Sequence, residues 1–240
     1  MLYRIIDNKI PFDKRAEIND KIIMSLARGK KDYTNEQIYN SYTGIGGLHG
    51  LSMDDYTSFH EYNEAKKSFE LGQFFTPHRI CEQMVNLVSP KENETILDMC
   101  CGMGNFFNHL PNQFNAYGFD IDDNAVRVAR RLYPDANIEV NDMKVYDPGM
   151  TFDIIFGNPP FNLDFDGVKS QHYFSHKAYW LLKPGGLMIL VMPMSYLASE
   201  SADRTYISMI DRDFSFIGQT KLDPKTFSSH GVQNFETKIM

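Results

Sequence analysis

Cysteine is scarce in this chain: three in 240 residues, Cys81, Cys100 and Cys101. An odd count with two of the three adjacent argues against a disulfide framework and fits a reducing, cytoplasmic setting. No apolar run approaches the roughly 20 residues that cross a bilayer. Charges scattered through residues 1–14 are unlike a signal peptide, so no membrane role is expected. Positive charge is also in deficit, with 24 Lys and Arg against 31 Asp and Glu and a net charge of -7. Free-standing DNA binders usually carry a basic surface. This polypeptide is therefore not expected to grip a polyanion alone, although a local basic rim or a basic partner stays open. Repeats and low-complexity tracts are absent, as are His-Glu-x-x-His and Gly-Lys-Ser/Thr signatures. What remains is ordinary globular composition, 42% hydrophobic and 23% charged, long enough for one sizeable core.

Residues 1–70 read as a helical, polar accessory region. Ile18, Ile22, Ile23 and Leu26 recur at helical spacing behind Asp13. A turn-rich stretch, Thr43 to Gly50, follows, then a second polar helical stretch from Met53 to Leu71. From Gly72 onward strand and helix alternate. Thr76 as N-cap and Pro77 at the first helical position open a helix with Ile80, Met84, Leu87 and Val88 on one face. Strands are expected at Thr95–Asp98, Ala116–Ile121, Asn137–Val140 and Phe152–Phe156. A helix with Val126, Ala129 and Leu132 follows the second strand, and another runs from about His172 to Leu182 and ends at Lys183-Pro184-Gly185-Gly186. Leu187–Met192 is a fully apolar fifth strand, with further strands expected at Phe214–Ile217 and Phe235–Met240. Such alternation predicts an α/β fold with a doubly wound, mostly parallel sheet and a ligand crevice at the carboxyl ends of its strands.

Asp98-Met99-Cys100-Cys101-Gly102-Met103-Gly104 sits at a strand-to-helix turn. Gly102 and Gly104 let the backbone turn tightly and approach a ligand. Asp120 lies at the next strand end, 16 positions after Gly104 (120 − 104), near the spacing at which a carboxylate meets a ribose. A third glycine is lacking, so S-adenosylmethionine fits the loop better than a pyrophosphate ligand. Taken alone, Gly-x-Gly reads as a tight turn. Asp98 before it, Asp120 after it and Asn158 downstream turn the reading toward a nucleoside site. Asp142, after the third strand, is placed to accept from an adenine amino group, with Ile121 and Met143 on either side of that ring. Asp142 reads equally well as a cap for the next segment.

Asn158-Pro159-Pro160-Phe161 follows a buried strand directly. Asn-Pro on its own marks turns. Here an amide, two stiff prolines and a ring leave a strand end together. A base nitrogen such as adenine N6 is a poor nucleophile, because its lone pair is delocalised into the ring. The Asn158 side-chain oxygen and the Pro159 carbonyl, aimed at its two hydrogens, would localise that pair. Pro160 biases Pro159 toward extended geometry and Pro159 fixes its own φ, so the carbonyl is rigidly aimed. Phe161 supplies a face for the base, and a base inside a duplex must be flipped out to reach it.

These residues resemble those of the N6-adenine DNA methyltransferases in which the cofactor motifs precede the catalytic one. The chain looks most like the modification subunit of type I restriction systems and related type II enzymes, from about Gly72 onward. The most discriminating element is Gly72-Gln73-Phe74-Phe75-Thr76-Pro77. The resemblance implies a seven-stranded sheet of the S-adenosylmethionine-dependent methyltransferase type. It implies that Thr76 contacts the methionine end of S-adenosylmethionine, that Asp98 and Gly102 line its methionine portion, Asp120 the ribose and Asp142 the adenine, with Phe75, Cys101, Gly104, Ile121 and Met143 also among the cofactor-binding residues. It makes Asn158, Pro159, Pro160 and Phe161 catalytic. Phe227, in Thr226-Phe227-Ser228-Ser229-His230-Gly231, becomes a second stacking ring on the target base. It also implies DNA as partner, with sequence recognition supplied by a separate specificity subunit or by a target-recognition domain not evident in residues 71–240. An RNA or protein-glutamine methyltransferase, and a non-catalytic cofactor-binding subunit, remain alternatives. His172 and His176 share a helical spacing but lack further ligands and are expected at the rim. Cys100 and Cys101 lack the setting of a cytosine-C5 nucleophile and are expected to pack.

Overall fold

In the computed structural model, residues 12–44, 53–62, 74–161, 163–165, 167–197, 204–227 and 236–240 are described. The N-terminal part supplies α1 (Phe12–Ala27) and α2 (Asn35–Ser41), followed by a short 3₁₀ turn at Met53–Asp55. Alternation then begins with α3 (His78–Val88) and β1 (Ile96–Met99), and a 3₁₀ helix at Asn105–His109 follows. β2 (Ala116–Asp120), α4 (Asp123–Leu132), β3 (Asn137–Val140) and β4 (Phe152–Gly157) continue the pattern. A small hairpin of β5 (Asp164–Phe165) and β6 (Val168–Lys169) leads into α5 (Ser170–Leu181) and β7 (Leu182–Pro193). α6 (Arg204–Asp213), β8 (Thr220–Lys221) and β9 (Thr237–Ile239) complete it. No helix among the described residues is long and apolar enough to cross a membrane.

The main sheet has seven strands in the order β3-β2-β1-β4-β7-β9-β8. β3, β2, β1, β4 and β7 run parallel, and β9 lies antiparallel to both of its neighbours. The expected doubly wound, mostly parallel architecture is therefore present. Strand order reverses between β1 and β4, the position at which such sheets bind ligands.

Side chains of a strand alternate between faces, and β1 buries both. Ile96 joins one core with Ile154, Phe156, Ile189 and Val191, covered by α3 and α4. Leu97 and Met99 join the other with Ile155, Leu190 and Met192, covered by Phe174, Ala178 and Leu181 of α5. Ile22, Ile38, Tyr39 and Tyr42 of the N-terminal helices are buried in the first of these cores, so this segment shares apolar packing with the sheet.

Four expectations need correction. α3 begins at His78, with Pro77 as its cap at ψ 140° and no side-chain cap bond, so Thr76 is not the N-cap. β7 opens at Leu182. Its register against β4 jumps from Phe152↔Leu182 to Ile154↔Leu187, so Lys183–Gly186 is an irregularity within a strand. Phe214–Ile217 forms no strand: Phe216 and Ile217 are exposed, and the edge strand is Thr220–Lys221, paired with β9 through two residues. At the opposite terminus, α1 opens at Phe12, so Asp13 lies within it. Residues 45–50, 63–73 and 228–235 lie outside the described residues, and with them Gly46–Gly50, Gly72, Gln73, the segment after Phe227 and Phe235.

Gly118 in β2 shows how tightly the first core meets the sheet. A Cβ there would lie 2.6 Å from the Phe107 ring and 3.0 Å from the Cys101 Cβ. Gly118→Ala should lower stability by about 1–3 kcal/mol, the usual cost of overpacking. Urea unfolding checks this, and an unchanged midpoint would contradict the packing.

Candidate active site

β1 and β4 are parallel neighbours, with Met99 opposite Gly157. The chain leaves both strands at one edge of the sheet, about 4.8 Å apart. The turn after β1 and Asn158 after β4 therefore emerge side by side.

The turn is tightly wound. Cys100, Gly102 and Gly104 have φ of 61°, 52° and 84°, in the left-handed region that non-glycine residues rarely occupy. At 102 a side chain is excluded twice, because a Cβ would also lie 2.6 Å from the Phe75 ring. The Gly102 amide donates to Asp120 Oδ2 (2.8 Å), and the Cys101 amide donates to the Phe119 carbonyl (3.0 Å). The end of β2 thus holds the turn.

Asp98 is 1% exposed, and among the described residues neither of its carboxylate oxygens has a hydrogen-bond partner. Burial, then the neighbouring charge of Asp120, pushes its carboxyl well above the ordinary range. Buried polar groups are nearly always paired, so this orphan marks a place for a donor that the described residues do not provide. Burial also raises the Asp120 pKa, opposed by backbone donors at Asp122, Gly102 and Ile121. The Cys100 thiol is pushed up by burial and then by Asp120, Asp98 and Asp142. Three carboxylates from the ends of β1, β2 and β3 thus act on one point. Their field suits a cationic ligand, and the ammonium and sulfonium of S-adenosylmethionine fit it. Neither Cys100 nor Cys101 is poised as a thiolate, since burial raises both.

Other expected cofactor residues are placed unevenly. Ile121 is 72% exposed at the end of β2, open for a ring. Met143 is buried in the second core, so the expected sandwich has only its Ile121 face open. Asp142 Oδ1 accepts from the Lys144 amide (2.9 Å), which is the capping alternative for that oxygen. Thr76 is buried, and its carbonyl accepts from Asn105 Nδ2 (2.9 Å).

The tetrapeptide has a defined geometry. Asn158 Nδ2 donates to the Phe74 carbonyl (2.8 Å). A carbonyl only accepts, so the amide must turn its NH₂ toward Phe74 and its oxygen away. Among the described residues no donor reaches the Asn158 oxygen or the Pro159 carbonyl. The Pro160 carbonyl accepts from Ser170 Oγ (2.6 Å), which also accepts from the Leu163 amide (3.2 Å). The Ser170 amide donates to the Leu163 carbonyl (2.8 Å). Phe161 is half-buried and packs against both cores.

Two expectations fail here. Phe227 is buried in the first core at 4% exposure, so its ring packs instead of standing open for a base. His172 is buried at 5%, against Tyr206 (4.8 Å) and Tyr196 (5.3 Å), because it lies on the inner face of α5 instead of the rim. Sequence reading missed Asn105, Ser170 and the Phe74 carbonyl. Phe74 lies inside a motif already singled out and Asn105 directly follows the Gly102–Gly104 turn, whereas Ser170 carried no local signal.

Fold and site together define an α/β protein of the S-adenosylmethionine-dependent methyltransferase type. The chain belongs to the N-6 DNA Methylase family, which matches residues 52–185. It is 25% identical to the Defense against restriction protein B of Escherichia phage P1, over 91% of this chain and 10% of that protein. A solved modification subunit assigned to a type I restriction enzyme of Vibrio vulnificus shares the fold. Its TM-score is 0.58 at 16% identity, over 80% of this chain and 50% of that one. A class I S-adenosylmethionine-dependent methyltransferase assigned in Listeria monocytogenes aligns with TM-score 0.61 and 17% identity, over 95% and 84%. The chain spans between 10% and 43% of the length of the curated relatives it matches.

Ser170 makes a direct test of how the loop after β4 is held. Ser170→Ala removes the hydrogen bond to the part-buried Pro160 carbonyl and should cost about 0.5–1.5 kcal/mol, the net worth of an ordinary hydrogen bond. Denaturant titration measures it, and a stability loss below about 0.5 kcal/mol, the lower end for an ordinary hydrogen bond, would show that the loop is held otherwise.

Proposed function

We propose that this chain is the catalytic part of an enzyme that transfers a methyl group from S-adenosylmethionine to N6 of an adenine flipped out of DNA. The observation that carries the reading is the Asn158 amide, anchored through its nitrogen to the Phe74 carbonyl. Its oxygen is left as an acceptor beside the turn that follows β1. Asn158 Oδ1 accepts one hydrogen of the target amino group and the Pro159 carbonyl accepts the other. Two acceptors draw the nitrogen lone pair out of conjugation and aim it. Phe161 presents its ring to the base, a contact of about 1–3 kcal/mol at single-strand stacking sites. The cofactor, when bound, supplies an electrophilic methyl. The chain's contribution is positioning and electrostatics, without a covalent enzyme intermediate. Asp98 would receive the ammonium of the cofactor, Asp120 would hold its ribose, and Ile121 would lie against its adenine ring.

Sequence recognition comes from a separate specificity subunit or from a target-recognition domain. The net charge of -7 supports this, as does the likeness to a solved modification subunit of a type I restriction enzyme. A setting in a restriction-modification or mobile-element system and a cytoplasmic location belong to the same reading.

Asn158→Ala should reduce N6-methyladenine formation by about 10²–10³, the scale of losing one preorganised hydrogen-bonding group in a transition state. S-adenosylmethionine affinity should stay near wild type. Mass spectrometry of nucleosides and calorimetry check the two halves. Transfer to RNA or to a glutamine side chain, with DNA untouched, would overturn the substrate assignment.

Asp98 generates a second test. Burial raises its pKa in the ligand-free protein, and a nearby cation favours the carboxylate, so binding lowers that pKa. Cofactor binding should therefore release a proton, and affinity should rise with pH across the carboxyl's titration and level off above it. Calorimetry in buffers of different ionisation enthalpy should detect that release, and Asp98→Asn should abolish it. Equal proton exchange in both proteins would remove Asp98 from the site.

A further inference from the structure

Five consecutive residues, Phe74 to His78, tie the molecule's working parts together. The Phe74 carbonyl holds the Asn158 amide. The Phe75 ring lies directly on Gly102, and the Thr76 carbonyl is held by Asn105. Pro77 caps α3, and His78 begins it. This strap thus touches the catalytic loop and the cofactor turn within five positions.

The strap is itself gripped from outside the stretch that matches the family, residues 52–185. α2 begins with a capping box, in which Thr34 accepts from the Gln37 amide and Gln37 returns to the Thr34 amide. Such a box stabilises a short helix that would be marginal by itself. It delivers Tyr39 and Tyr42, 3% and 5% exposed, onto the strap. Tyr42 stacks on Phe75 with ring centroids 5.9 Å apart at 30°. Burial, and then the charges of Asp122 and Asp120, push its phenol pKa up. Tyr39 stacks on His78 (4.1 Å, 30°) and its hydroxyl is hydrogen-bonded to His78 Nδ1. The same hydroxyl accepts from Asn108 Nδ2 (3.1 Å), on the 3₁₀ helix after the glycine turn. One tyrosine therefore backs the ring that covers Gly102. The other joins the start of α3 to the 3₁₀ helix.

We propose that Tyr39 and Tyr42 are positioning residues of the methyl-transfer site, holding the 74–78 strap against the Gly102 turn and thereby setting both the cofactor cleft and the Asn158 amide. This makes the N-terminal helical region a working part of the site instead of a detached accessory. The proposal rests on the methyltransferase reading above. Packing alone would need only apolar volume at these positions. A buried hydroxyl with partners on two separate elements and a ring stacked on the residue over Gly102 are what positioning requires.

The test measures S-adenosylmethionine affinity by calorimetry on the whole chain, with circular dichroism and unfolding midpoints as controls. Tyr42→Leu keeps apolar volume but loses the planar ring. It should weaken binding by about three- to ten-fold, within the range an aromatic pair's coupling spans. Tyr42→Phe keeps the ring and should restore wild-type affinity, which a general loss of stability would not do. Tyr39→Phe should accelerate amide hydrogen exchange across residues 102–108 and lower the rate of methyl transfer to adenine-unmethylated plasmid DNA. Cofactor affinity and exchange both equal to wild type in folded Tyr42→Leu and Tyr39→Phe proteins would overturn the proposal. If Tyr42→Leu does not fold, Tyr39→Phe decides by the same criterion. A wild-type chain that binds no S-adenosylmethionine would instead sink the methyltransferase reading, while the exchange comparison still judges the strap.

Discussion

One hydrogen bond organises the proposed chemistry: the Asn158 side-chain nitrogen donates to the carbonyl of Phe74, 84 residues earlier. A free asparagine amide presents either of two different atoms to a ligand, a donor group or an acceptor. A target amino group needs the acceptor. Because Phe74 offers a carbonyl, only one orientation satisfies both groups. The oxygen is thus aimed by chemistry as well as by packing. Pro159 needs no such partner, since its ring and the following proline fix the direction of its carbonyl. Ser170 then clamps the next carbonyl, at Pro160. Each acceptor is held by a different device, and none depends on the substrate to order it, which is what electrostatic preorganisation demands.

The sheet makes this bond possible. Parallel pairing of β1 with β4 brings the glycine turn and the catalytic loop to one edge, and the 74–78 strap bridges them. Buried carboxyls converge there. Asp120 accepts from the Gly102 amide of the turn it holds and from the Asp122 amide just after β2. Asp98 has no donor among the described residues. A group so costly to leave unpaired inside a fold suits the cation that the proposed reading puts beside it.

Much of this was legible before any coordinates. β3 matched its expected bounds, and β1, β2 and β4 fell within a residue of theirs; the last three are buried almost throughout, and such strands read as short apolar runs between turns. The order of motifs brought Asp98, Gly102, Asp120 and Asn158 to one edge as expected. What escaped was set by long-range geometry. The Thr76 cap failed because its carbonyl is claimed by Asn105, far along the chain. Phe214–Ile217 has strand composition, but pairing reached only Thr220 and Lys221. Met143 and Phe227 are apolar residues whose burial depends on what packs over them. Ser170, Tyr39 and Tyr42 are ordinary residues locally, and only tertiary contacts give them a role.

The most direct measurement is scalar coupling across the hydrogen bond itself. In deuterated, isotope-labelled protein with Asn158 and Phe74 assigned, the Asn158 side-chain nitrogen should couple to the Phe74 carbonyl carbon, and its amide hydrogens should exchange slowly with solvent. Absence of that coupling, with both amide hydrogens exchanging as in a free side chain, would contradict the orientation on which the proposed transfer depends.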